Sequence, residues 1–138
     1  KYEIVPGITS GIGSATYAGI PLTHRKYASS VVFVTGHEDP EKNEEIVKWK
    51  KLAKSVDTIV IMMGLSRIGI ISKQLIEGGM KKSTPVAVIQ NGTTPKQKMI
   101  VGTLTNIANK IKKEKMSPPA NIIIGEVVKL HKIIGWKK

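Results

Sequence analysis

Four short apolar runs recur along the chain: Val31-Val32-Phe33-Val34, Thr58-Ile59-Val60-Ile61-Met62-Met63, Val86-Ala87-Val88-Ile89 and Ile122-Ile123-Ile124. Each is too short for an ordinary helix and rich in β-branched residues, so each reads as a strand buried on both faces. Residues 97–101 are more polar and form a fifth strand candidate, at an edge. Between these runs the apolar positions switch to helical spacing. Ile46, Trp49, Leu52 and Ala53 form one stripe, in a helix that Asp39 caps, Pro40 starts and Glu41, Glu44 and Glu45 favour at its positive end. Ile68, Ile71, Leu75 and Ile76 form a second, from about Ser66 to the stop at Gly78-Gly79. Leu104, Ile107, Ala108 and Ile111 form a third, from about Thr103, with Ser117-Pro118-Pro119 barring continuation. Residues 9–18 are small and read as a helix entered through Pro6-Gly7. Strand and helix alternate, so the expected class is α/β, with a mixed, largely parallel sheet flanked by helices.

Length and composition bound this picture. The chain has 138 residues, 41% hydrophobic and 23% charged, which suits one globular domain over residues 1–138. It has no Cys, which excludes a disulfide scaffold, a thiolate metal site and a cysteine nucleophile. It also fits a reducing, cytoplasmic setting. No apolar run approaches the roughly 20 residues of a membrane span, so no membrane partner is expected. The first residues do not resemble a signal peptide and include no initiator Met, so the chain is expected to derive from something longer.

The 22 Lys and Arg against 10 Asp and Glu give a net charge of +12. Such a balance invites a nucleic-acid reading. The distribution argues against it: Arg25 and Arg67 are the two arginines, aromatics make up 4%, and Lys is spread along helix faces. A basic α/β module that binds a polyanion stays as the alternative function.

The expected strand ends carry glycine: Thr35-Gly36, Met63-Gly64, Asn91-Gly92 and Gly125. Ligands of open α/β sheets sit beyond the carboxyl ends of strands, and glycine lets backbone approach them. Known catalytic signatures fail here. Residues 7–14 lack the Lys-Ser/Thr of a phosphate loop, Thr16 stands where a dinucleotide fingerprint needs Gly, and Gly64-Leu65-Ser66-Arg67-Ile68-Gly69 misses the nucleophile-elbow spacing by one. His24, His37 and His131 are far apart, and His37-Glu38 lacks a second His at ligand spacing, so no metal site and no catalytic residue are assigned.

Several longer blocks occur in order. They are Val5-Pro6-Gly7-Ile8-Thr9-Ser10, Tyr17-Ala18-Gly19-Ile20-Pro21-Leu22-Thr23-His24-Arg25, Val34-Thr35-Gly36-His37-Glu38 and Met63-Gly64. Pro85-Val86-Ala87-Val88-Ile89-Gln90-Asn91-Gly92-Thr93-Thr94 with Gln97, Val101-Gly102-Thr103-Leu104 and Ile124-Gly125-Glu126-Val127-Val128 complete them. Together they resemble the C-terminal half of the uroporphyrinogen-III C-methyltransferases, in the tetrapyrrole methylase superfamily. The resemblance covers essentially the whole chain. It departs in two places, with Gly11 for a common Ala and Met62 for a frequent Tyr, and it lacks the family's N-terminal Gly-Pro-Gly-Asp and Gly-Gly-Asp-Pro segments.

The resemblance implies transfer of two methyl groups from S-adenosylmethionine to uroporphyrinogen III, giving precorrin-2 on the route to sirohaem and cobalamin, with S-adenosylhomocysteine as product. It implies a two-domain homodimer with the cofactor between the domains, the N-terminal domain being absent from this chain. The family's cofactor positions fall on Thr9, Ser10, Met63 and Gly92, with Thr103 closing over the adenine. His24 and Arg25 are the expected contacts to the substrate's carboxylates. Alignment and water exclusion need both walls of a cleft, so the chain alone is expected to be catalytically weak. A related tetrapyrrole acceptor remains a third possibility.

Overall fold

The computed structural model describes residues 1–37 and 47–135. Among the described residues five helices and five strands follow in chain order: α1 (Ser10–Tyr17), β1 (Val31–Thr35), α2 (Trp49–Ser55), β2 (Thr58–Met62), α3 (Ile68–Glu77), β3 (Pro85–Gln90), β4 (Lys98–Thr103), α4 (Ile107–Lys113), β5 (Ala120–Ile124) and α5 (His131–Ile134). Two 3₁₀ turns, Leu65–Arg67 and Glu126–Leu130, precede α3 and α5. All five expected strands are present. The helix start expected from Asp39, Pro40, Glu41, Glu44, Glu45 and Ile46 lies outside the described residues.

The strands form one sheet in the order β1-β2-β5-β3-β4. The α/β class and the mixed sheet are as expected, but the parallel share is smaller. One pairing of four, β1 with β2, is parallel; β2–β5, β5–β3 and β3–β4 are antiparallel. The physical reason is the last strand, which inserts between β2 and β3 and runs against both. Strands β1, β2 and β3 therefore point one way, and β4 and β5 the other.

Alternation along the central strands builds two cores. Ile59, Ile61, Val86, Val88, Ile122 and Ile124 face the side covered by α2, α3 and α4, where Trp49 is 2% exposed. Ala87, Ile89 and Ile123 face the opposite side, against Ala15 and Ala18 of the α1 segment and Val127 and Val128 of the 3₁₀ turn. Ile122, Ile123 and Ile124 are fully buried, which is what consecutive apolar residues on a two-sided strand produce. Each such side chain contributes about 1.5–3 kcal/mol by leaving water. Strand β1 differs from its expected burial. It is an edge strand whose residues are partly buried, and Phe33 is exposed.

The third helix starts later than expected. Thr103 belongs to β4, paired with Pro85, and α4 opens at Ile107. The turn between them closes when the Thr103 N–H donates to Asn106 Oδ1 at 2.8 Å. Residues 101–103 thus stay in the ladder with β3 rather than joining the helix.

Candidate functional site

The common direction of β1, β2 and β3 brings their carboxyl ends to one edge of the sheet. The beginnings of β4 and β5 share that edge, as does the first turn of α1. A cavity of about 1230 Å³ opens there, lined by Ser10, Met63 and Gly92 among others. Its size is ample for a nucleoside-sized ligand. Ile68 of α3 and Ala108 and Ile111 of α4 form one wall, and Ser10 and Ser14 of α1 face them across the strand ends. Among the described residues the lining contains no carboxylate; its basic members are Lys112 and His37.

Backbone conformation concentrates strain here. Met63, Asn91 and Thr93 have φ of 54°, 50° and 69°, and all three line the cavity. Such values cost side-chain-bearing residues about 1–3 kcal/mol each and gather at ligand sites. Neighbouring bonds hold two of them: Asn91 N–H donates to the Pro119 carbonyl at 3.0 Å, and Thr93 N–H to Gln97 Oε1 at 2.8 Å. Met63 is 65% exposed, an apolar side chain held out at the cavity mouth.

Two glycine contacts fix the packing of this edge. A Cβ on Gly36 would collide with Gly64 Cα, so the loops leaving β1 and β2 cross in direct backbone contact. A Cβ on Gly92 would collide with Cβ of Ser14, so the loop after β3 lies directly on α1. Glycine at these two places is a steric requirement rather than a turn preference.

A buried polar knot ties α1 to the central strand. Ser14 Oγ donates to the Ser10 carbonyl at 2.7 Å. Asn121 Nδ2 donates to the same carbonyl at 3.1 Å and to Ser14 Oγ at 3.0 Å. Thr9, whose backbone enters α1, is capped by no side-chain bond of its own; its hydroxyl approaches Met62 Sδ at 4.0 Å.

The structure brings Ser10, Met63 and Gly92 onto one cavity, with Thr9 directly adjoining Ser10. Thr103 is elsewhere. It pairs with Pro85, whereas Gln90, at the cavity end of β3, pairs with Lys98. The antiparallel β3–β4 hairpin carries the end of β4 away from the site, so Thr103 does not close over it. Gly125 is likewise at the far edge, its N–H donating to the Pro85 carbonyl at 3.0 Å, because β5 runs against β1, β2 and β3. His24 and Arg25 do not line the cavity either. They occupy a tight loop, where His24 and Ala28 bridge, on the way to the amino end of β1. Ser29 and Ser30 then anchor that end through Asp57 Oδ2, with N–H contacts of 2.9 and 3.1 Å. The Ser29 N–H, then the Ser30 hydroxyl and N–H, hold the Asp57 carboxyl below its ordinary 3.8.

Ser14, His37 and Asn121 are lining residues that the sequence reading did not select. Asn121 had a visible signal, as a polar residue inside an apolar strand run, since buried polar groups require partners. His37 had none beyond its place after Gly36.

An open α/β sheet with strained, glycine-bearing strand ends around a cavity is the arrangement of the class of ligand-binding domains whose ligands sit at the carboxyl edge. Comparison narrows it. Residues 1–108 match the family model described as Tetrapyrrole (Corrin/Porphyrin) Methylases, and the chain belongs to that family. It is 49% identical over its whole length to an S-adenosyl-L-methionine-dependent uroporphyrinogen III methyltransferase of Methanosarcina barkeri, covering 54% of that protein. It is 48% identical to a siroheme synthase of Nitrosomonas eutropha, over 98% of the chain and 28% of that protein. Among solved structures, a uroporphyrin-III C-methyl transferase from Thermus thermophilus complexed with S-adenyl homocysteine superposes with a TM-score of 0.76 at 33% identity. That match covers 93% of this chain and 52% of the other. The chain thus spans about half the length of these methyltransferases, and less of the synthase.

Proposed function

We propose that the chain is the C-terminal domain of an S-adenosylmethionine-dependent enzyme that methylates carbons of uroporphyrinogen III, forming precorrin-2 for sirohaem and cobalamin. The observation that carries this reading is the meeting of Ser10, Met63 and Gly92 on a single cavity at the carboxyl edge. The identities to relatives named for that reaction support it. Thr9 and Ser10 offer the methionine end hydroxyl and backbone groups, and the loops at Met63 and Gly92 bring main chain close to the adenosine. Bound there, the cofactor supplies an electrophilic methyl group.

The residues present suit such a ligand. The cavity combines aliphatic walls with a few fixed polar groups, as sites for nucleoside-sized molecules do. The chain's own contribution is to orient the cofactor and to shut water out along one side. The second wall belongs, in this reading, to an N-terminal domain, and the enzyme is a cytoplasmic homodimer. Tyr2, Ile4, Val5 and Ile8 stand exposed ahead of α1, an apolar stretch that a further domain would cover. The polyanion alternative gains nothing from the cavity, where Lys112 is the one lysine in the lining among the described residues.

The test is methyl transfer. The protein at its natural length, given S-adenosylmethionine and uroporphyrinogen III under reducing conditions, forms a dimethylated product. The 138-residue chain alone forms little or none. No product from the natural-length protein contradicts the substrate assignment, and brisk turnover by the isolated chain contradicts the need for a second wall.

A further inference from the structure

The geometry points to Asn121 as a specificity residue whose side-chain carbonyl accepts a hydrogen bond from the bound nucleoside cofactor; this rests on the cofactor reading above. Asn121 occupies the floor of the cavity, paired in register with Met62 on one side and Ile89 on the other, and all three line it. It is 9% exposed, in a strand whose next three residues are fully buried isoleucines.

The orientation of its amide is fixed by its partners. The Ser10 carbonyl can only accept, so the group facing it is Nδ2. Ser14 Oγ gives its proton to that same carbonyl and so presents a lone pair to Nδ2 as well. The amide nitrogen thus serves two acceptors held by α1. Oδ1 is left at the other end. It accepts no bond among the described residues, and it is not among the wholly enclosed polar atoms without a partner. The remaining exposure of the residue is toward the cavity it lines. A nearly buried acceptor with an unused lone pair is costly unless a ligand donor reaches it.

The group it selects is a hydrogen-bond donor: the exocyclic amine of the purine or a ribose hydroxyl. Both belong to S-adenosylmethionine and S-adenosylhomocysteine. An apolar residue at position 121 would fill the strand equally well but would offer neither the acceptor nor the two bonds that seat α1.

Calorimetric titration of the natural-length protein tests this with S-adenosylhomocysteine and its inosine, 2′-deoxy and 3′-deoxy analogues. Asn121→Leu is expected to bind S-adenosylhomocysteine about tenfold more weakly, the scale of one hydrogen bond to a buried acceptor. One analogue, the one lacking the relevant donor, should bind the native protein about tenfold more weakly than S-adenosylhomocysteine, yet bind Asn121→Leu as well as S-adenosylhomocysteine does. That analogue identifies the partner. Asn121→Thr, β-branched and suited to a strand, serves if the leucine variant does not fold. Equal discrimination among all four ligands by native and variant proteins overturns the assignment. Failure of the native protein to bind S-adenosylhomocysteine at all overturns the cofactor reading itself, a separate outcome.

Discussion

The two edges of the sheet are built on opposite rules. At the far edge, polar groups meet one another. Asp57 accepts from Ser29 and Ser30, Gly125 donates to Pro85, and Thr103 is closed onto Asn106. At the carboxyl edge, three residues with side chains adopt left-handed backbone, an apolar Met63 stands in solvent, and Asn121 keeps an acceptor open. The far edge is closed largely by its own chain, the buried Thr58 hydroxyl being the group there without a partner among the described residues, while the carboxyl edge carries backbone strain and an open acceptor that a ligand can use. This contrast supports the site assignment independently of any resemblance.

The sharpest way to break the contrast is to fill the carboxyl edge. Gly92→Leu drives a side chain into Ser14, and overpacking of this kind costs about 1–3 kcal/mol of stability. Binding of S-adenosylhomocysteine should fall beyond detection, since the loop after β3 must shift off α1; titration and a denaturant melt report the two effects together. Relief of strain comes next. Met63→Gly removes the penalty of φ 54° and is expected to leave stability unchanged or raise it by up to about 1 kcal/mol, while cofactor affinity drops severalfold. A gain in stability with undiminished binding would mean that the strain serves no ligand.

The far edge should respond to pH and not to cofactor. The carboxyl of Asp57 has its pKa lowered by folding, chiefly by the Ser29 N–H. Its contribution to stability is therefore complete above the ordinary 3.8 and is lost as pH falls through the lower folded value. Asp57→Asn is expected to lower the melting temperature modestly at pH 7, the residue being exposed. The gap from the native protein should close in acid, with cofactor affinity the same for both. Smallest of all is Thr103→Ala, which should leave affinity for S-adenosylhomocysteine within about twofold. A tenfold loss would return Thr103 to the site and require the end of β4 to reach the cavity from the opposite edge.

Much of the architecture could be read from the residues. Apolar runs of three to six residues mark the strands, and these appear where expected, although β1 lies at an edge and is not buried on both faces. Strand direction could not be read, because composition does not encode it. The insertion of β5 between β2 and β3 is a tertiary choice, and it alone moved Gly125 to the far edge. The β3–β4 hairpin did the same to Thr103. Ser10, Met63 and Gly92, which line the cavity, and Thr9, which adjoins it, are nameable because they sit in blocks that occur in a fixed order. His24 and Arg25 sit in such a block too, but its loop returns toward the amino end of β1. Asn121 was legible only as an anomaly, one amide in an apolar run, whose partners Ser10 and Ser14 lie more than a hundred residues away.

A cofactor seated at the carboxyl edge of this sheet should leave its mark on that edge in solution. Backbone amide resonances of the natural-length protein, followed as S-adenosylhomocysteine is added, test it most directly. The largest changes are expected on Ser10, Met63, Gly92 and the side-chain amide of Asn121, with Asp57, Thr103 and Gly125 still. Changes centred on those last three, with the first four unmoved, would contradict it.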